Sequence, residues 1–569
     1  MKYRLSLTFT TCLAMLAFPF LICGQMKPLA TGPAGERMIN YALIPKLPSA
    51  PKPEQFTVST IPLPDNVVLA ILVNYLPDGK HLIAEVELTG SKKHEIVTIR
   101  EDGSEFKCLT CGLEKEIGDE MPVPLPDGKR IYTPKGILEC SPSILDCKEA
   151  KILPLIYPSI PGDTILMRIA SNMSPDGIHV AGTLVTRHGG LVLISELTRV
   201  SDEKGGHYEL TNSKVIAGDR IHSDSSGLRL TVAGSGEVKS FAGMGRYLIT
   251  SSVFESNNFD LARIDLATGE VYRLTRQFSY DEGTYPSPDG EWVVFQTHRQ
   301  TTRMDAFGLI PRPLIAGLPQ AGGVAYQRNA EFEGYQPVRR FYGLSMVDKY
   351  GDRARLPEDG YTGQNLTTAD DNFKLYNHFG NFSWDPTSTH GIFWEQKDPK
   401  FVKKDERQGR LRMIWFTARK PTKPLTAFNP DMNWAINLKD IQWTNKTIPE
   451  HGKLIGEVSG SAEISTQKPA PGSGEQPRRV IKYFNFSDDG IYILNGSESS
   501  TTGGTYSRET SWDADIVVTG KRKGFLKAKD VKFRIRSMSS GTIQAELGTH
   551  KIEVDLAKGL PTGVAGELR

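Results

Sequence analysis

Apolar and polar residues alternate in short runs along most of the chain, and one turn precedes several of these runs. Pro-Asp-Gly occurs at 77–79, 126–128, 175–177 and 288–290, each time followed by a strand-like alternation. Pro presets φ, Asp hydrogen-bonds the nearby backbone and Gly accepts a positive φ, so each copy predicts a hairpin between two strands. The first three copies are spaced by 49 residues, and weaker copies lie at 242–248 and 383–386.

Repeated units of about 40–50 residues with four short strands predict an all-β fold, a β-propeller of six or seven blades. Helical periodicity is nearly absent from the chain. The repeat resembles the TolB-type propeller repeat, which specifies a scaffold and not a function. We expect an N-terminal extension at 25–54, the propeller over 55–425, and a small β-rich C-terminal domain over 426–569. The last region is predicted to be a β-sandwich, and the alternative is that its strands complete the ring.

The N-terminus has the pattern of a secretory signal peptide. Lys2 and Arg4 precede an apolar run at 5–22, and Gly24 offers a small residue for cleavage. Residues 1–24 are therefore predicted to be removed and the mature protein to be secreted. A lipoprotein site at Cys23 is disfavoured by Ile22, and no second apolar segment of spanning length suggests a membrane anchor.

Overall composition excludes several classes of protein. The 569 residues are 24% charged and 39% hydrophobic, which is not typical of a disordered tail or a multi-span membrane protein. Lys and Arg number 68 against 66 Asp and Glu, a formal net charge of +2 without a basic block. We therefore expect no nucleic-acid partner.

Cysteine and asparagine patterns fit a secreted chain. Four cysteines remain after the signal segment: Cys108, Cys111, Cys140 and Cys147. An even number of cysteines favours two disulfides, and three pairings remain open. The alternative, a zinc site, is disfavoured because the spacing between Cys140 and Cys147 is poor for zinc ligands. Six Asn-x-Ser/Thr sequons predict glycosylation of some sites: Asn172, Asn365, Asn381, Asn445, Asn485 and Asn495.

Aligning the blades on their turns indicates which residues reach one mouth of the central channel. Residues just before each innermost strand lie there, and at that position Glu282 aligns with Glu120 and Glu237. Blade three offers Arg168 near this position, and a looser alignment adds His378. Convergent carboxylates suit acid/base cleavage of a glycosidic bond, because crowding raises the pKa of one of them.

These positions give the candidate site. The predicted catalytic residues are Glu282, Glu237, Glu120 and His378, and the predicted substrate-binding residues are Arg168, Asp281, Asp119 and His222. Arg168 would hold an acidic substrate group in a bidentate fork. The alternative is that acidic residues before propeller strands cap turns. No metal or cofactor is expected, since serine-hydrolase elbow, zincin, Walker and dinucleotide motifs do not occur in the sequence.

Several segments, spread in order over most of the chain, resemble the fungal secreted saponin hydrolase family. They are 106–112, 127–130, 138–140, 255–260, 274–275, 339–341, 348–353 and 483–498. The resemblance implies a small-molecule glycoside substrate, a triterpenoid saponin whose sugar chain is released at the bond between a glucuronic acid and the C-3 oxygen of the aglycone. The resemblance supplies no catalytic residues.

Two other functions remain open on the sequence. One is a glycoside or polysaccharide lyase on a propeller, with His or Tyr abstracting the C5 proton of a uronate. The other is a non-catalytic propeller that binds glycans or proteins.

Overall fold

The computed structural model describes residues 47–558 with internal gaps. The gaps are 92, 118–120, 187–188, 204, 219, 225–226, 232–235, 300–303, 315–342, 367–375, 398–401, 404–405, 442–449, 474, 502–508 and 535–538. Helical segments within the described ranges are short: an α-helical turn at Asp305–Gly308 and 3-10 turns at Gly243–Gly245, Glu255–Asn257, Pro357–Asp359, Leu438–Asp440 and Leu556–Lys558. None of the described helices has the length and apolar character needed to span a bilayer.

Six four-stranded antiparallel units follow one another along the described chain, and we number them blades 1 to 6. The first strand, β1 (Phe56–Thr60), belongs to the last blade. Blades 1 to 3 contain β2 (Val67–Tyr75), β3 (His81–Leu88), β4 (His94–Arg100) and β5 (Lys107–Cys108); β6 (Val123–Pro124), β7 (Arg130–Thr133), β8 (Gly136–Ser141) and β9 (Glu149–Ile156); and β10 (Ile165–Met173), β11 (His179–Thr186), β12 (Gly189–Val200) and β13 (His207–Gly218).

The hairpin β14 (Arg220–Asp224) and β15 (Gly227–Thr231) then precedes the remaining blades. Blades 4 to 6 contain β16 (Glu237–Ala242), β17 (Tyr247–Val253), β18 (Phe259–Asp265) and β19 (Val271–Arg273); β20 (Asp281–Pro286), β21 (Trp292–Thr297), β22 (Gly343–Asp348) and β23 (Gln364–Asn365); and β24 (Tyr376–Trp384), β25 (His390–Lys397) and β26 (Gly409–Phe416) with β1.

The six blades close into a ring. Innermost strands contact from β10 through β16, β20 and β24 to β2 and β6, and blades 2 and 3 share a hydrophobic cluster. The N-terminal strand β1 pairs with β26 in register Phe56 to Phe416, so the two ends of the propeller chain complete one blade. The β-propeller prediction is confirmed, and the described blades number six.

The Pro-Asp-Gly turns form the predicted hairpins. In the first copy the Asp78 carboxylate accepts the N–H groups of Lys80 and His81, and Gly79 has φ of 65°. The other three copies place a glycine at φ between 66° and 76° in the same connection between the innermost and second strands. The weaker turn of blade 4 uses two glycines around Met244, all with positive φ, in place of Pro and Asp.

The C-terminal region is one continuous sheet rather than the predicted sandwich. Its strands pair in sequence as an antiparallel meander, and β15 adds in parallel to its first strand. The strands are β28 (His451–Ile455), β29 (Ser459–Gln467), β30 (Arg478–Ser487), β31 (Tyr492–Thr501), β32 (Glu509–Gly520), β33 (Gly524–Arg534), β34 (Ser540–Leu547) and β35 (His550–Asp555). The short β27 (Ile436–Asn437) pairs with β13 of the propeller.

The propeller itself covers the apolar face of this C-terminal sheet, which explains why no second sheet is needed. Trp512 and Phe533 of the sheet lie in one buried cluster with Phe278 and Phe307, which belong to the loops of blades 4 and 5. Strand directions place these loops at the end of the ring where the innermost strands begin. The C-terminal sheet therefore lies at the same end of the channel as the predicted mouth residues.

Two predicted modification features are visible in the fold. The disulfides form between Cys108 and Cys111 and between Cys140 and Cys147, which confirms the prediction of two bridges and selects one pairing. The Asn381 sequon is closed in the folded state, because the buried side-chain amide bonds both the N–H and the carbonyl of Val73.

Candidate functional site

Two of the predicted catalytic carboxylates meet at the channel mouth around one lysine. Oε2 of Glu237 lies 3.0 Å from the Nζ of Lys239, and Oε1 of Glu282 lies 2.9 Å from the same atom. Burial opposes the charge on Lys239, but the two carboxylates outweigh it and raise the pKa of the ammonium. The structure thus places the two aligned carboxylates close together, in an ion triad with a lysine that the alignment did not consider, and their catalytic role stays a prediction.

Asp281 lies behind this mouth and not on its surface. Its side chain is fully buried and accepts hydrogen bonds from Arg299, with Nη2 to Oδ2 at 2.7 Å, and from the hydroxyl of Thr297. Arg299 also binds Asp352, so the predicted substrate-binding carboxylate is part of a buried structural network. The carboxylate of Asp281 is therefore not exposed to a substrate at the mouth. The alignment gave the position of Asp281 in the sequence but not the direction of its side chain.

The remaining predicted residues are not brought to the triad by any described contact. Arg168 is exposed, and its guanidinium lies 4.4 Å from the ring centre of Tyr157. His222 and His378 fall on β14 and β24, but their side chains lie outside the described part of the structure, as do Asp119 and Glu120 entirely.

A cleft opens between the propeller and the C-terminal sheet, with a volume of about 430 Å³. That volume lies within the range of small-molecule sites. One wall comes from the ends of blades 4 and 5, and the other from the β30–β31 and β32–β33 turns. The lining residues are Glu255, Arg273, Arg276, Pro311, Arg312, Pro313, Arg353, Ala354, Arg355, Asp359, Phe486, Ser487, Asp488, Asp489, Ile491, Tyr492, Leu494, Lys521 and Arg522.

Glu255, in the loop between β17 and β18, is held ionised on the propeller wall. Arg273 binds both its carboxylate oxygens at 2.8 Å, and Nη1 of Arg355 lies 2.6 Å from Oε1. Burial alone would raise the pKa of this carboxyl, but the two guanidinium groups lower it to about 2. Glu255 therefore carries a full negative charge at any physiological pH.

Asp488, in the β30–β31 turn of the opposite wall, has the reverse electrostatics. Burial raises the pKa of its carboxyl to about 6, and the nearby carboxylates of Glu457, Asp489 and Glu255 add to the rise. The carboxyl accepts a 3.1 Å hydrogen bond from the backbone N–H of Glu457, which favours the ionised form but does not outweigh burial. At mildly acidic pH the protonated form of Asp488 thus lies in the same cleft as the ionised Glu255, the division of protons used in general acid catalysis.

The cleft also combines cationic and apolar surfaces. Arg353 pairs with Asp348, Arg312 with Glu498 and Arg522 with Asp359. Apolar lining comes from residues on both walls: Pro311, Pro313, Phe486, Ile491 and Leu494. A ligand with a polar, charged part and an apolar part fits this division.

Blade alignment missed the cleft, because none of its residues lies at a repeat position of the innermost strands. Another feature of the sequence does point to it. Three of the segments that carry the saponin hydrolase resemblance, 255–260, 348–353 and 483–498, supply residues of the cleft, among them Glu255, Arg353 and Asp488.

One group of potential metal ligands occurs among the described residues, and its cysteines are not available. Glu95, Cys108 and Cys111 lie close enough to share an ion, but the two sulfurs are joined in a disulfide. This group is therefore a structural bridge beside a carboxylate.

Comparison with known proteins finds remote structural likenesses. No family model and no curated protein matches the chain. Similar solved structures include TolB from Acinetobacter baumannii, with 14% identity and a TM-score of 0.30 over 60% of this chain and 65% of that chain. An oligogalacturonate lyase from Vibrio parahaemolyticus has 11% identity and a TM-score of 0.32 over 65% and 98% of the two chains. A puromycin-hydrolyzing peptidase from Mycobacterium tuberculosis has 11% identity and a TM-score of 0.32 over 79% and 63%.

Overlaps of this size carry no argument about function. The assignment of a six-bladed β-propeller rests on the six described blades and on the pairing of the N-terminal strand with the last blade. The protein is a β-propeller with an appended C-terminal sheet, and its function has to be argued from its own residues.

Proposed function

We propose that the protein is a secreted glycoside hydrolase that releases the glucuronic-acid-linked sugar chain from triterpenoid saponins, and that it does so in the cleft between propeller and C-terminal sheet. The observation that carries the proposal is the pair of carboxyl groups with opposite pKa shifts, Asp488 near 6 and Glu255 near 2. Glycoside hydrolysis uses such a pair, one protonated and one ionised.

Each carboxyl group has a distinct part in the proposed reaction. Asp488, protonated below about pH 6, donates its proton to the glycosidic oxygen as the bond to the aglycone breaks. Glu255 stays ionised and stabilises the positive charge that develops at the anomeric carbon. Water then forms the new bond to that carbon and gives a proton to the carboxylate of Asp488, which restores the acid. The arginines around Glu255 fix its position, so its charge requires no rearrangement during the reaction.

The apolar residues of the cleft support the choice of an apolar aglycone. Phe486, Ile491 and Leu494 line the cleft in the same turn and strand as Asp488. A sugar bound near the arginines would place its aglycone oxygen beside Asp488 and its aglycone against this surface. Two disulfides agree with an oxidising compartment, and secretion itself rests on the apolar segment at 5–22.

Digestion of a glucuronide saponin mixture with the purified protein, followed by mass spectrometry of the products, tests the proposal. We expect free aglycone and an intact oligosaccharide from the wild type, and a loss of at least about 100-fold in kcat for Asp488→Asn and Glu255→Gln. Asp515→Asn is the matched control, because Asp515 is an exposed carboxyl on β32 outside the cleft.

The same experiment separates the competing sites and reactions. Loss of activity in Glu282→Gln together with full activity in Asp488→Asn would move the reaction to the channel mouth. An oligosaccharide lighter by one water, with ultraviolet absorbance, would indicate a lyase. No product from any glucuronide would refute the hydrolase proposal.

A further inference from the structure

Arg276 differs from the other arginines that line the cleft. It follows β19 at the end of blade 4, and its buried Nε has no hydrogen-bond partner, as is also true of the Nε of Arg312 and of Arg355. The difference lies in its ion pairing. Among the described residues, no carboxylate oxygen lies within ion-pair distance of its guanidinium. The other cleft arginines each have a carboxylate partner: Arg273, Arg312, Arg353, Arg355 and Arg522.

The nearest carboxylates are already bound by other cations. Asp352 accepts the backbone N–H of Arg276 at 2.7 Å, but its charge is balanced by the guanidinium of Arg299. Glu255 is balanced by Arg273 and Arg355. Burial and the like charge of Arg273 both lower the pKa of Arg276, so this cation is held in an unfavourable place.

Such an arrangement needs an external anion. A desolvated guanidinium without a carboxylate partner is disfavoured, and a ligand that supplies the opposite charge offsets this cost. A guanidinium presents two parallel N–H donors that match the two oxygens of a carboxylate. The cleft geometry supplies such donors beside the carboxyl pair of Asp488 and Glu255, within reach of a sugar bound there.

We propose that Arg276 binds the carboxylate of the sugar unit in the cleft and thereby selects a hexuronoside over the corresponding neutral hexoside. This inference rests on the proposed function and deepens it. In this proposal Arg276, and not Arg168, binds the carboxylate of the substrate, the role that the sequence analysis predicted for Arg168. The guanidinium of Arg168 is exposed and lies over the ring of Tyr157.

The first test measures binding, so it does not depend on catalysis. Calorimetric titration of the wild type with glucuronate, glucose and inorganic sulfate is compared with Arg276→Gln. We expect the affinity for glucuronate to fall about 10- to 100-fold in the variant, the range for a lost charged hydrogen bond. Lys523→Gln is the control, because Lys523 is an exposed cation in the β32–β33 turn that does not line the cleft, and this variant should bind glucuronate as the wild type does.

The second test uses the rate constants for a matched pair of substrates, a glucuronide and a glucoside of one aglycone. Arg276→Gln should lower the ratio of their kcat/KM values about 10- to 100-fold and leave the glucoside value within about threefold. Arg276→Lys keeps the charge without the paired donors, so its ratio of kcat/KM values should lie between those of the wild type and Arg276→Gln. Urea unfolding and circular dichroism show whether each variant is folded, and Arg276→Lys serves if Arg276→Gln is not.

The outcomes separate the two proposals. Hydrolysis by the wild type with an unchanged substrate ratio in both Arg276 variants would overturn the role of Arg276 and leave the hydrolase standing. Glucuronate binding that depends on Arg276, without hydrolysis of any glycoside, would support Arg276 and refute the hydrolase. Equal affinity for sulfate and glucuronate, or no binding of glucuronate to the wild type, would overturn the selection of a uronate.

Discussion

Replacing Asp488 with Asn should stabilise the protein near neutral pH while it removes activity. The folded-state pKa of Asp488 is about 6, against 3.8 for an unperturbed Asp, so ionisation of this carboxyl opposes folding above that range. Linkage gives a destabilisation of about 1 kcal/mol near pH 4.5 that grows to about 3 kcal/mol near pH 7.5, when both states are ionised. Asn removes the charge, and its side-chain oxygen still accepts the N–H of Glu457.

The sign follows from proton uptake. A raised acid pKa means that the folded state binds more protons than the unfolded state, so the free energy of unfolding of the wild type falls as pH rises from about 4 to about 6. Because the turn is partly exposed, solvent screening reduces the effect, and we expect Asn to gain about 1–2 kcal/mol more near pH 7.5 than near pH 4.5.

Urea unfolding at the two pH values, followed by tryptophan fluorescence, measures this difference. Asp515→Asn, an exposed carboxyl on the same sheet, should unfold at the wild-type midpoint at both pH values. An identical shift of Asp488→Asn at both pH values would refute the reasoning, because a change in packing or hydrogen bonding does not depend on the ionisation of Asp488. Destabilisation that increases with pH would refute it more strongly.

Three further predictions concern the cleft and the segments that build it. The rate of glycoside hydrolysis should decline on the alkaline side with an apparent pKa near 6, where Asp488 loses its proton, and a kcat profile without this limb would exclude Asp488 as the acid. Glu255→Gln should lower the free energy of unfolding at pH 7 by about 3 kcal/mol, because it removes the carboxylate that pairs with Arg273 and whose pKa this pairing holds near 2. The difference in free energy of unfolding between wild type and variant should vanish as pH falls from about 4.5 toward 2. Gly351→Ala should cost at least about 2 kcal/mol in urea unfolding, because Gly351 has φ of 74° and an added Cβ would lie 1.9 Å from the carbonyl oxygen of Leu274, and a midpoint unchanged from the wild type would contradict that close approach.

The sequence by itself determined the hairpins and therefore the fold class. In the first three Pro-Asp-Gly turns the carboxylate of the Asp accepts the backbone N–H groups two and three residues ahead, as Asp176 does from Ile178 and His179. In the fourth turn Asp289 accepts the N–H of Glu291, and the N–H of Trp292 donates to the hydroxyl of Ser287. These contacts involve only neighbouring residues, so the local pattern is sufficient to predict them. The same holds for the disulfides, whose partners are separated by three and seven residues.

Pairing between distant parts of the chain could not be read in this way. The N-terminal strand β1 completes blade 6 by pairing Phe56 with Phe416, a contact between opposite ends of the propeller sequence. The C-terminal sheet became one layer because the loops that contain Phe278 and Phe307 cover its apolar face. A strand pattern gives the buried face of a sheet, but not the identity of the residues that cover it.

The candidate site divides along the same line. Sequence repeats brought Glu237 and Glu282 to one mouth, but only the tertiary structure placed Lys239 between them. It also decided that Asp488 and Glu255, from the C-terminal sheet and blade 4, face one cleft with opposite pKa shifts. The type of residue fixes its ordinary pKa, whereas burial and the charges of distant segments set the shift, and those exist only once the chain has folded.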